Sequence, residues 1–127
     1  MAYELAGEGG QMYFGIASLE NAFKLAYLHG WHPMGTVKCK IEDSSSGPTL
    51  AVDNWSSYLS SGFQLVIDED AANIAAALET AMPDVPFHDC DQKARRQQPL
   101  EFFGGIEGRS GLSEFIGFCQ AGGFCIA

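Results

Sequence analysis

Apolar residues recur along this chain in two rhythms, and the rhythm changes several times. In "SLENAFKLAYLHGWHP" Leu19, Ala22, Phe23 and Ala26 fall at i, i+3, i+4 and i+7, the spacing of one buried helical face. Ser18 is the expected N-cap and Glu20 suits the first turn, while Gly30 ends the helix and Pro33 forbids its continuation. The rhythm then shortens to two in "HPMGTVKCKI", which predicts a strand with Val37, Cys39 and Ile41 inward. Residues 42–54 carry acids, serines, Gly and Pro in close order and predict a solvated loop within one domain.

A second strand is expected over residues 63–67, followed by the best-defined helix of the chain. Asp68 is its expected cap, Glu69 and Asp70 lie in its first turn, and Ala71, Ile74, Ala75, Leu78 and Met82 form its apolar stripe. Pro83 and Pro86 stop it. Residues 87–103 follow no clear rhythm: "DQKARRQQ" lacks an apolar face, Pro99 ends whatever it forms, and "LEFFGG" reads as a short strand or a hydrophobic anchor. Ser110 or Ser113 is the expected cap of a last helix through Leu112, Phe115, Ile116 and Cys119, and "FCIA" is a terminal strand or packed tail. These elements predict a single α+β domain over residues 1–127, with three helices packed on a small antiparallel or mixed sheet.

Composition narrows the function classes. The 127 residues are 46% hydrophobic, enough for a substantial core, and 16 acidic against 7 basic residues leave a formal charge of −9. That charge opposes binding to phosphate backbones or anionic lipid, so neither nucleic acid nor a membrane is an expected partner. "MAYELAGEGGQMYF" lacks the cationic start and apolar stretch of a secretory signal, and no apolar run reaches the roughly 18–20 residues a membrane helix needs. The expected compartment is the cytoplasm, where Cys39, Cys90, Cys119 and Cys125 would stay reduced.

Two stretches, "HGWHPMGT" and "WSSYLSSGFQLVIDEDAANIAAAL", give the chain a resemblance to a scattered group of small bacterial proteins. In those, a helix ends in Gly-Trp-x-Pro-x-Gly-Thr, and a Trp and Tyr precede a Gly-Gln strand and an Asp-Ala helix start. The matching positions here are Trp31, Pro33, Gly35, Thr36, Trp55, Tyr58, Gln64, Asp70 and Ala71, and "FIGFCQAGGF" is similar in look. This chain has "SSGF" where those proteins carry an Asn-Asp-Gly turn. The likeness touches about half of the chain through motifs of a structural kind and brings no activity with it.

Candidate chemistry concentrates in "PFHDCD". In an extended segment His88 and Cys90 share one side and Asp89 and Asp91 the other, which offers zinc two ligands of the roughly four it wants. His29 and His32, at the end of the first helix, are the other possible ligands. No cofactor is expected. As a nucleophile Cys90 has His88 as a nearby base, but the flanking carboxylates raise a thiol pKa and no third orienting group is evident, so a polar loop after a proline turn is the simpler reading. "GGIEGRSG" with Arg109 has the glycine content of an anion-binding turn without the Lys-Ser/Thr ending of a P-loop. Asp68 and Asp70 are explained by capping, and Trp31, Trp55 and Tyr58 fit a core or a groove.

The leading expectation is therefore a non-enzymatic protein-binding module, in its sharpest form an immunity or inhibitor protein that occludes a basic partner. Its contact residues would come from Glu42, Asp43, Asp53, Trp55 and Tyr58, or from Asp68, Glu69 and Asp70. A small enzyme or metal- or ligand-binding domain using residues 88–91, and a structural homo-oligomer joined through its terminal strands, are the alternatives.

Overall fold

The computed structural model describes residues 2–38, 58, 64–91, 93 and 98–126. The chain opens with a hairpin, β1 (Ala2–Gly7) and β2 (Gly10–Gly15), and passes directly into α1 (Ile16–Leu28). After β3 (Val37–Lys38) and β4 (Gln64–Val66) comes α2 (Asp68–Ala81), continued by a 3-10 turn at Met82–Asp84. One helical turn, α3 (Pro99–Phe102), precedes α4 (Gly105–Gln120), and β5 (Phe124–Ile126) closes the described chain. The strands form one antiparallel sheet in the order β2-β1-β5-β4-β3. The expected α+β architecture is therefore present, and of the two sheet types it is the antiparallel one.

Period-two alternation decides which side of the sheet is covered. Leu5, Phe14, Val66, Phe124 and Ile126 point inward and are buried, whereas the alternate positions Glu4, Ala6, Gln11, Tyr13, Leu65 and Cys125 are half-buried or exposed. The core lies between the inner face and the three long helices, and it is aromatic at its centre. Phe115 meets Phe14 edge-on at 5.0 Å and Phe23 at 6.3 Å, and Phe23 in turn stacks on Trp31 at 5.6 Å. Offset and edge-on pairs of this kind add about 0.5–1.5 kcal/mol each to the area they bury.

The apolar stripes expected for the helices are the buried ones: Leu19, Ala22, Phe23 and Ala26 in α1; Ala71, Ile74, Ala75 and Leu78 in α2; Leu112, Phe115, Ile116 and Cys119 in α4, whereas Met82, expected to end the α2 stripe, lies past the helix in the 3-10 turn and is half-buried. The helix starts differ. α1 begins two residues before Ser18, with Gly15 at its N-cap, and α2 is capped by Ile67, so that Asp68 is its first helical residue. Asp68 instead accepts a hydrogen bond from the Gly123 amide at 2.7 Å, which ties the start of α2 to β5. α4 begins at Gly105, placing Ser110 and Ser113 inside the helix rather than at its cap. Pro99 occupies the first turn of α3, where its missing N–H costs nothing, so it starts a helix instead of ending one.

The N-terminal hairpin is an addition to the sequence reading. Its alternation of Tyr3, Leu5 and then Met12, Phe14 about Glu8-Gly9 is the signal that carries it. Cys125 is disulfide-bonded while Cys90 and Cys119 are free, which corrects the expectation of four reduced cysteines and removes one support for a reducing compartment. No helix among the described residues is long and apolar enough to cross a membrane.

Candidate functional site

The residues of the "GWHPMGT" stretch converge on one buried carboxylate. α1 ends with Gly30 at φ 108° and with the Trp31 amide bonded back to the Ala26 carbonyl at 2.9 Å, a terminus that turns Trp31 into the core. There the Trp31 indole N–H donates to Asp70 Oδ1 at 2.8 Å, and the Tyr58 hydroxyl donates to Asp70 Oδ2 at 2.5 Å. Tyr58 also accepts the Gly35 amide at 2.9 Å, and the Met34 backbone adds a further hydrogen bond to Asp70. Beside this node Thr36 donates to Gln64 Oε1 at 2.6 Å, again fully enclosed. The node joins the end of α1, the start of α2 and Tyr58 through polar contacts that span 12 to 39 residues of sequence.

Burial dominates the electrostatics of this node. It raises the Asp70 pKa, against the opposing pull of the hydrogen bonds from Tyr58 and Trp31, and it pushes the Tyr58 hydroxyl far up, reinforced by the neighbouring carboxylate. Asp70 and Tyr58 are both 0% exposed. Neither can therefore belong to an exposed acidic rim, which corrects their place among the expected contact residues. Asp68 and Glu69, the two residues before it in the same turn, are exposed. Glu42, Asp43, Asp53 and Trp55, with Cys39 and Ile41, for which an inward position is expected, lie outside the described residues.

"PFHDCD" and "GGIEGRSG", separate candidates in the sequence, pack against each other. The Gly105 amide donates to the Pro86 carbonyl at 3.0 Å, and a Cβ at Gly105 would overlap the Asp89 carboxylate. A Cβ at Gly104 would stand 2.9 Å from Cys90 Sγ. The two glycines thus admit residues 88–90 onto the first turn of α4, with Asp89 at the positive end of the helix dipole. Arg109 is equally committed: its guanidinium donates to the Met82 and Val85 carbonyls at 3.1 and 2.5 Å and lies 3.9 Å over the Phe87 ring. The glycine-rich stretch is a helix start whose anion and cation are already supplied from within the chain.

The histidines do not converge. His29 Nδ1 lies 3.0 Å from the Leu25 carbonyl and shares with His32 a shallow depression lined by Asn73 and Thr80, whereas His88 lies beside Phe87, Ile106 and Glu107 in a different cleft. Among the described residues no group of three or more metal-type ligands is found. This second cleft contains what the sequence pattern did not single out. Phe87 and Ile106 are 73% and 84% exposed and lie together, bordered by Asp89 and Glu107. Their signal was an apolar residue at a place with no periodicity to bury it. No family model, curated protein or solved structure matches the chain.

Proposed function

We propose that this chain is a non-catalytic protein-binding module that recognises a partner with a basic surface, as an inhibitor or immunity protein would. One observation carries the reading: Phe87 and Ile106 form an exposed apolar pair edged by the carboxylates of Asp89 and Glu107. An aromatic and an aliphatic anchor at the centre with charge at the rim is the anatomy of a protein interface. The net charge of −9 favours a cationic partner through faster encounter and rejects acidic ones. The internal commitments of Asp70 and Arg109 support binding over chemistry, since both side chains are engaged in holding elements together.

The test compares immobilised wild-type protein with the Phe87→Ser, Ile106→Ser double variant as baits in a native lysate, at low and high salt. A basic protein retained by the wild type, lost with the double variant and weakened by salt is the expected result. Identical retention by both baits sinks the proposal.

A further inference from the structure

We propose that β2 is an interface in its own right, pairing antiparallel with β2 of a second copy to join two sheets into one. The inference is independent of the Phe87–Ile106 reading and uses the opposite end of the molecule's chemistry, an uncharged strand on an acidic protein. β2 is the outermost strand of the sheet, and among the described residues its only neighbour is β1. It is six residues long, in unbroken register with β1 from Ala2↔Gly15 to Gly7↔Gly10, so alternate residues direct unpaired backbone groups outward along about 20 Å. Edge strands are normally blunted by shortness, by lysine, by proline or by a bulge. "GQMYFG" has none of these.

A second copy is the occupant this edge suits. Glu, Asp, Lys and Arg are all absent from β2, so self-pairing across a two-fold axis opposes no like charges on the strands themselves. An axis perpendicular to the sheet keeps the two inner faces on the same side, so only residues of like facing can be opposed. The two registers that pair most of the strand set Gln11 against Tyr13 or Tyr13 against Tyr13 outside, and in both Met12 or Phe14 continues the inner apolar row across the join. Tyr13, 69% exposed, gains a cover it lacks in the single chain. A strand this short buries less than the roughly 800 Å² per partner of a standard stable interface, so the dimer is weak and concentration-dependent. Two bodies of charge −9 also repel, so it tightens as salt is added, the reverse of binding to a basic partner.

Sedimentation equilibrium of the full chain over a thousand-fold range of concentration, at low and high salt, reads this directly. The mass is expected to rise from the 13.7 kDa monomer toward twice that value, and more readily at high salt. Gln11→Lys with Tyr13→Lys places lysine opposite lysine in either register and is expected to hold the protein monomeric. Gln11→Glu with Tyr13→Glu should do the same, and an equimolar mixture of the two variants should regain the dimer mass. Circular dichroism of each variant confirms that these exposed positions leave the fold intact. A monomer at all concentrations, variants that dimerise like the wild type, or a mixture that stays monomeric would each overturn the proposal.

Discussion

Removing the Asp70 carboxylate is the sharpest test of the buried node. In Asp70→Ala the Trp31 indole N–H and the Tyr58 hydroxyl lose their acceptor inside a site with no access to water, and the Met34 backbone loses its bond. An orphaned buried donor costs about 1–3 kcal/mol, so the variant is expected to lose about 3–6 kcal/mol of a total that is typically 5–15 kcal/mol. Asp70→Asn keeps the volume and one acceptor and removes the cost of burying charge, so it is expected to lose no more than about 1–2 kcal/mol. The two variants also separate by pH. Burial raises the folded-state pKa of Asp70 above its ordinary value of 3.8, so between those two values the native state holds the proton more tightly than the unfolded chain. The contribution is fully present below pH 3.8 and is lost as pH rises through the raised folded value. Urea unfolding from pH 4 to 8 should show stability falling with pH in the wild type and a flatter profile in Asp70→Asn. An alanine variant within about 1 kcal/mol of the wild type, or an asparagine variant with the wild-type slope, refutes the account of a closed, strongly coupled node.

Two further outcomes follow from the packing of residues 88–90 on α4. Gly105→Ala meets both a backbone at φ 88° and the Asp89 carboxylate, and is expected to cost about 1–3 kcal/mol or more in thermal unfolding, with Asp89→Gly restoring only the part due to overlap. Alkylation of the native protein, followed by peptide mass analysis, should modify half-buried Cys90 and spare Cys119, whose thiol is fully enclosed and pushed far up in pKa by burial. Equal labelling of the two would contradict the placement of Cys119 in the core.

The three long helices were legible because each buries a stripe that local spacing displays, and the same holds for β4 and β5, whereas the single turn of α3 buries no stripe and was missed. What escaped was set by contacts distant in sequence. Asp70 sits where first-turn acids usually cap or face solvent, and Trp31, 39 residues upstream, Tyr58, 12 upstream, and the Met34 backbone turn it into a buried acceptor. "GGIEGRSG" has the composition of a turn, yet Pro86 and Asp89 pin its glycines as a helix start. The "GWHPMGT" residues proved to share a place as well as a pattern, since Trp31, Gly35 and Thr36 lie in or beside one hydrogen-bonded node. The exposed pair of Phe87 and Ile106 carried no periodic signal, because neither belongs to a stripe.

The position of β5 has a consequence for how the molecule comes to exist. The sheet is divided into a hairpin of β1 and β2 and a second pair of β3 and β4 until Phe124–Ile126 slides between them. Those residues are translated more than a hundred positions after β1, their neighbour on one side. On the ribosome, then, the first hairpin waits with one flank unsatisfied for nearly the whole passage of the domain. The closing event joins the most widely separated parts of the chain, the kind of contact that makes folding slow and all-or-none.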